Sequence, residues 1–516
     1  MRVRLAAPAL AFLALGCPIG PRYHRPDVSP PTQYRPPPAL EDSLRPVFDS
    51  LAASRDSLAK GGAGDTIAPP PPGEKSGPRT GDTGAGRSYD LRLDSASMAW
   101  FDLFQDTALT SLVREAVQDN RDVRTAVAAI EEYRADVGIA RAPIFPQVNI
   151  TGQGGREKLA LGTFKLPAFE LYTATANLSW ELDFWGRIRR TTSAARDDLL
   201  AQEESRRAVV LDLVSSVVTT YLQLRELDLA LEISRRTLVS RQQTLRLASD
   251  RLNHGLISEL DVRQFEADVA DPAARVADFE RQVVQQENTL SVLAGRQPGP
   301  IPRGLPLSEI IARTNVPTGV PSVVLERRPD VRQSEAQLAA ATERVGSATA
   351  SRLPTFTVTG QYGYQGTLFP ELFRTPENET YQIFGGVSIP IFTGGQLYNQ
   401  ERVARARRDQ ARYRYEQTVL TALREVENAL AAVRSDRDQV IANQTQVNAL
   451  RRALQLANDR YTSGVASYLD LLDAERSLFT AELTLVQTEE QQLADVVELF
   501  RATGGGAPVP VPSRGP

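Results

Sequence analysis

Residues 122–153, DVRTAVAAIEEYRADVGIARAPIFPQVNITGQ, recur 208 residues later without a gap as residues 330–361, DVRQSEAQLAAATERVGSATASRLPTFTVTGQ. About a dozen positions are identical, including Val137, Gly138 and Ala140 against Val345, Gly346 and Ala348, and the closing Thr-Gly-Gln of each copy. A ladder of that length marks a duplicated architecture. Each copy opens with helix-compatible composition, reaches a proline (Pro146, Pro354) and then alternates polar with apolar residues. A helix feeds a strand, twice.

Outward from the repeat, the alternation deepens. Tyr172, Ala174, Ala176, Leu178, Trp180 and Leu182 fall on one face of a strand, with Thr173, Thr175, Asn177, Ser179, Glu181 and Asp183 on the other. The second half does the same with Phe356, Val358, Gly360, Tyr362 and Tyr364, and again from Tyr381 through Ile383, Gly385, Val387 and Ile389 to Ile391. Period two over about ten residues suffices to cross a bilayer when tilted, although a half-buried soluble sheet shows the same pattern. Aromatics near the strand ends (Tyr172, Trp180, Phe184, Trp185, Tyr381, Phe392) favour the membrane. Four strands cannot close a membrane barrel, since even the smallest have about eight and an open edge in lipid leaves backbone groups unsatisfied. The barrel must be shared between chains, and two, three or four copies all satisfy symmetry.

Beyond the strands, Arg187–His254 and Gln396–Ser463 each contain 68 residues without Gly or Pro. As continuous helices they would reach roughly 100 Å at about 1.5 Å per residue. Leu211, Val214, Val218, Tyr221 and Leu222 share one face of the first. In the second half, Leu472, Phe479, Leu483, Val486, Leu493, Val497 and Phe500 keep a coiled-coil rhythm on the return helix. The turns match as well: RLNHGLISELDV at 251–262 against RYTSGVASYLDL at 460–471. Gly255 and Gly464 suit the left-handed position that ends a helix, and Ser258 with Asp261, like Ser467 with Asp470, has capping-box spacing. Ile257 with Val262, or Ala466 with Leu471, stands where a hydrophobic staple would, and Asp271-Pro272 should kink the first return helix. Before the strands, WFDLFQDTALTSLVREAVQDN has helical rhythm, and a helix is expected from there to about Arg141.

The N-terminus reads as a targeting segment: Arg2 and Arg4, an apolar run from Leu5 to Leu15, then Gly16 and Cys17, the chain's one cysteine. It resembles a bacterial lipoprotein lipobox, with Ala14 where the pattern usually has Leu. Cys17 would then carry lipid, leaving no thiol for a disulfide or a metal. The expected division is a signal peptide at 1–16, a Pro/Gly-rich tether at 17–98, a first structural repeat at 99–300, a second at 301–503 and a disordered tail at 504–516. Net charge is −4, with 59 basic against 63 acidic residues, so no nucleic-acid footprint is present. Past the N-terminus there is no apolar run of about 18 residues, which argues against a helical span and leaves a β-barrel open.

Two histidines, His24 and His254, show no metal-ligand spacing, and neither a phosphate loop nor a dinucleotide fingerprint occurs. An enzyme, a cofactor and a metal are not expected. The ordered set of lipobox, GPRYHRP at 20–26, WFDLFQD at 100–106, RRPD at 327–330, alternating strand pairs and twin hairpins resembles the TolC-like outer-membrane efflux proteins, in particular their NodT-type lipoprotein branch. That resemblance implies a mixed α and β fold: a homotrimer whose twelve strands form a barrel in the outer membrane and whose long hairpins form a periplasmic α-barrel. It implies a lipid-anchored passive exit duct for small molecules such as drugs, joined to a periplasmic adaptor and an inner-membrane pump, often of the resistance-nodulation-division type. By position it implies a periplasmic constriction at Leu469, Asp470 and Asp473, and a tip lock involving Asp261 and Tyr461. Helix capping is an equal alternative for Asp470 and Asp261, whereas Asp473 has no such role. Ala466 stands where relatives carry an arginine, which departs from the lock. Alternatives are the exit of a protein-secretion system and, from another class, a non-conducting coiled-coil spacer, which would have no use for lipid-facing alternation.

Overall fold

The computed structural model describes residues 19–26, 101–158, 160–161, 164–165, 167–313, 327–463, 465 and 467–505. Cys17, nearly all of the expected tether, Gly464, Ala466 and residues 506–516 of the expected tail lie outside them. In the first repeat a short 3-10 turn, Phe101–Phe104, precedes α1 (Thr107–Asp119) and α2 (Arg121–Arg141). Strand β1 (Gln147–Glu157), a two-stranded ribbon of β2 (Ala160–Leu161) and β3 (Phe164–Lys165), and β4 (Phe169–Leu182) follow, then α3 (Arg187–Asn253) and α4 (Glu259–Leu293). A short α5 (Leu307–Arg313) leads to the second repeat: α6 (Pro329–Ala350), β5 (Thr355–Gly366), β6 (Glu379–Ser388), α7 (Gln396–Thr462) and α8 (Tyr468–Ala502). In the long hairpins the duplication is kept to the residue, since α3 and α7 both have 67 residues and α4 and α8 both have 35.

Two boundaries differ from the sequence reading. The single helix expected up to Arg141 is broken at Asn120, whose extended ψ of 136° ends α1. Its side chain then accepts from the amides of Asp122 and Val123 to start α2, and donates to the Leu293 carbonyl at 3.0 Å. An asparagine that bonds local backbone competes with the helix ladder and so restarts it. The last strand stops at Ser388, leaving Ile389 and Ile391 outside, because Pro390 brings no backbone N–H to a ladder. By contrast α4 runs on through Pro272.

β1, β4, β5 and β6 pair in that order, antiparallel throughout, in one sheet. The register aligns like residues across all four strands: Val148, Leu178, Gly360 and Ile383 in one row, Ile150, Ala176, Tyr362 and Tyr381 in another. On the opposite face Asn149, Asn177, Gln361 and Gln382 align. A slip of one residue would exchange the two faces, so the side-chain pattern itself specifies this register.

The chain forms two compact units, and each draws on both repeats. One contains residues 19–26, 125–207 and 329–420, including the sheet; the other contains residues 101–124, 208–313, 327–328 and 421–505. In the second unit Leu109, Val113, Val217, Val218, Leu222, Leu290, Ile310, Leu493, Val497 and Phe500 make one core. The return-helix stripe from Leu472 to Phe500 is buried at every position named above, whereas Leu211 is only half-buried. At its edge Asp106, 1% exposed, caps α1 through Ala108 and Leu109 and also accepts from Tyr221 Oη and the Leu305 amide, both at 2.9 Å. Gly304 is required here, because a Cβ would fall 1.9 Å from the Asp106 carboxylate. Burial and that carboxylate hold the Tyr221 hydroxyl well above its usual pKa. Part of α3 is long and apolar enough to cross a membrane, but half of that stretch is buried, as in a core helix.

Candidate functional site

The sheet presents its apolar face uncovered. Ile150 is 83% exposed, Ile383 79% and Tyr381 75%, with Val148, Tyr362 and Val387 also exposed. At about 25 cal/mol per Å² such surface is costly to leave in water, and a contiguous patch of this kind marks contact with lipid or another protein. On the polar face Asn177 donates to Thr151 Oγ1 at 2.8 Å, and Thr151 and Thr175 share a hydrogen bond at 3.2 Å. Strands of 10 to 14 residues are long enough to cross a bilayer. Aromatic side chains anchor one end: Trp180 Nε1 donates to the Ile144 carbonyl and Trp185 Nε1 to that of Pro354, while Phe184 meets Phe356 edge-on at 4.7 Å. Both outer edges, on β1 and β6, lack a strand partner among the described residues.

The described segment that follows Cys17 starts at this end of the sheet and runs along the helices. The Ile19 amide donates to the carbonyl of Trp185, between β4 and α3. The buried Arg190 donates to the carbonyls of Gly20 and Pro21 and pairs with Glu343 at 3.0 Å. Gly346, one of the glycines shared by the repeat, makes room for it, since a Cβ there would lie 2.3 Å from Arg190 Cδ. Tyr23 Oη donates to Glu335 and Arg25 Nε to Tyr415 Oη. GPRYHRP is thus a docked strap.

At the hairpin turns, Gly255 takes φ +69° and the Leu256 amide returns to the carbonyl of Arg251, so the turn needs glycine. Ser258 and Asp261 cap α4 reciprocally, with Ser258 N to Asp261 Oδ2 at 2.9 Å, and Ser467 and Asp470 do the same for α8 at 3.2 Å. Among the described residues the hydrogen bonds of Asp261 go to Ser258, while Tyr461 lies under Arg251 and beside Tyr468. Phe265 packs on Tyr468, and Ala248, Val262 and Ile257 complete that cluster. Leu469, Asp470 and Asp473 stand exposed on one face of α8 with Leu471 and Leu472 buried behind them. No group of three or more His, Cys, Asp or Glu residues suited to a metal exists among the described residues.

Behind the tips lie two ionic hubs that the sequence reading did not single out. Asp268, on α4, accepts from Arg241 of α3 at 3.0 Å and Arg476 of α8 at 2.9 Å. Glu482, on α8, accepts from Arg236 of α3 and from Arg451 of α7, each at 2.8 Å. Each hub ties the first hairpin to the second. A signal for the first was available: Pro272 has no N–H for the Asp268 carbonyl four residues back, and Arg241 Nη1 donates to that oxygen instead, at 2.8 Å.

The model of the outer membrane efflux protein family matches residues 112–296 and 320–505, one segment per repeat. The solvent efflux pump outer membrane protein SrpC of Pseudomonas putida is 34% identical over 433 residues, covering 82% of this chain and 91% of SrpC. The probable outer membrane lipoprotein SilC of Salmonella typhimurium is 32% identical over 412 residues, 79% of this chain and 88% of SilC. The structure of the open state of the MtrE outer membrane channel of Neisseria gonorrhoeae superposes with a TM-score of 0.75 at 26% identity, covering 95% of this chain and 98% of MtrE.

Proposed function

The chain belongs to the outer membrane efflux protein family, and on that basis we propose that three copies close one channel, the passive exit duct of a tripartite pump that exports small apolar or drug-like molecules. The observation that carries this reading is the sheet, with an uncovered apolar face, a polar face, and two edges unpaired among the described residues, which lipid cannot accept. Three copies of four strands give twelve, within the range of membrane barrels. A periplasmic adaptor and an inner-membrane pump are the partners, and the pump supplies the energy. Cys17 carries the lipid anchor, and the bond of the nearby Ile19 amide to the Trp185 carbonyl supports that role by holding the start of the strap beside the strand ends.

The internal repeat also supplies the register between copies. Within the first repeat Thr151 pairs with Thr175, and within the second Thr359 pairs with Phe384, so the strands of the two repeats correspond at offsets of 208 (β1 to β5) and 209 (β4 to β6). The junction between repeats pairs Ser179 with Thr359. Applying the same offsets, 179 plus 209 and 359 minus 208, sets Ser388 of one copy opposite Thr151 of the next.

The gate of this duct lies at Leu469, Asp470 and Asp473, supported by their exposure on one face of α8. Three copies of each aspartate form acidic rings that favour cations. In planar bilayers Asp473→Ala should raise conductance or weaken cation preference, with Gln264→Ala, its counterpart in the first hairpin, unchanged. A channel unaffected by Asp473→Ala removes that residue from the gate, and a purified chain that forms no pore contradicts the duct.

A further inference from the structure

Between α3, α7 and α8, inside the second compact unit, lies a cavity of about 360 Å³ lined by Arg236, Arg241, Arg451, Glu475, Phe479 and Glu482 among others. Arg241 is 2% exposed, and its Nη1 is committed to Asp268. Its Nε and Nη2 are buried without a hydrogen-bond partner. These two nitrogens form the side-on fork of a guanidinium, two parallel N–H groups spaced for two oxygens of one anion. Elsewhere in this chain the same edge holds a carboxylate: Arg187 on Glu181, Arg303 on Asp228 and Arg501 on Glu498. An unmet buried donor is costly, and two on one charged group more so.

We propose that this cavity is a binding site for one small oxyanion, held side-on by Arg241 Nε and Nη2 and faced from the rim by Arg236 and Arg451. The rim side chains are 59% and 54% exposed and share Glu482, so they retain N–H groups for an entering anion. The Phe479 ring lies 5.4 Å from the Arg241 guanidinium carbon and supports the guanidinium by a cation–π contact. Two carboxylates line the same space. Glu482 is satisfied by its arginines, whereas Glu475 is the competitor, its carboxyl pKa raised chiefly by burial. The occupant would become a third tie between the hairpins, beside Asp268 and Glu482.

The test titrates inorganic sulfate into the full-length protein in detergent, at ionic strength held constant with chloride, and follows heat and melting temperature. Acetate in a second arm separates a carboxylate site from one for tetrahedral oxyanions. Saturable binding of one sulfate or acetate per chain is expected. It should weaken at least about tenfold in Arg241→Gln, as loss of a charge-assisted pair predicts, and hold or tighten in Glu475→Gln. Should Arg241→Gln fail to fold, the half-exposed Arg236→Gln and Arg451→Gln decide, each with several-fold weaker binding expected. Absence of saturable binding by either anion in the unmodified chain, or affinity unchanged in all three arginine variants, overturns the site.

Discussion

Both hairpin tips close with the same cap, Ser258 with Asp261 in the first and Ser467 with Asp470 in the second, and they diverge one turn later. Counting from the caps, Gln264 corresponds to Asp473, Asp268 to Ser477 and Pro272 to Ala481. Deeper in the hairpins, Leu227 and Gln286 of the first stand where the second has Asp436 and Asp495. What the two copies share is what a helical turn needs. What they do not share is a hub in the first and acidic groups in the second, and these are the residues on which an account of function has to rest.

The largest expected contrast lies at the hub. Asp268→Ala strands the buried Arg241 and should cost about 3–5 kcal/mol, whereas Ser477→Ala at the corresponding place should stay within about 0.5 kcal/mol. Denaturant unfolding of the two variants measures both, and equal losses would break the contrast. A smaller effect comes from Asp436. Burial and the neighbouring Asp495 push its pKa from 3.8 up to about 7. In the unfolded chain it loses its proton first, so stability falls as pH rises from about 4 to about 7 and stays lowered above. The melting temperature of the unmodified chain should therefore drop more between about pH 5 and pH 8 than that of Asp436→Asn. Smallest are the caps: Ser258→Ala and Ser467→Ala should each cost about 1 kcal/mol, and by the same amount, if capping is all that these serines do. A clear excess at Ser467 would assign the second cap a further role.

Much of this was legible in the sequence because its causes are local. Period-two alternation located the strands and chose their faces, and the repeat fixed which elements correspond. Glycine and Ser-x-x-Asp spacing located the turns. The break at Asn120 was legible only in part: its bonds to the Asp122 and Val123 amides are local, but the bond that holds its side chain goes to Leu293, over 170 residues away. Of the hubs only the first left a trace in the sequence, at Pro272; its arginine partners did not, because an arginine on a helix face looks alike whether it meets water or a carboxylate from another hairpin. Arg241 and Arg235 illustrate the point: the first is 2% exposed and the second 57%, with nothing in the local sequence to tell them apart. The candidate gate was placed by resemblance, and the structure adds that Leu469, Asp470 and Asp473 share an exposed face.

The central claim is that β6 of one copy meets β1 of the next to close a shared barrel, and one disulfide test addresses it directly. A chain carrying both Thr151→Cys and Ser388→Cys, oxidised in outer membranes and run without reductant, should migrate as a covalent trimer. Thr151→Cys with Val387→Cys should not, because a shift of one residue turns the side chains to opposite faces. A double variant at 151 and 388 that stays monomeric, or one at 151 and 387 that links equally well, would contradict the account.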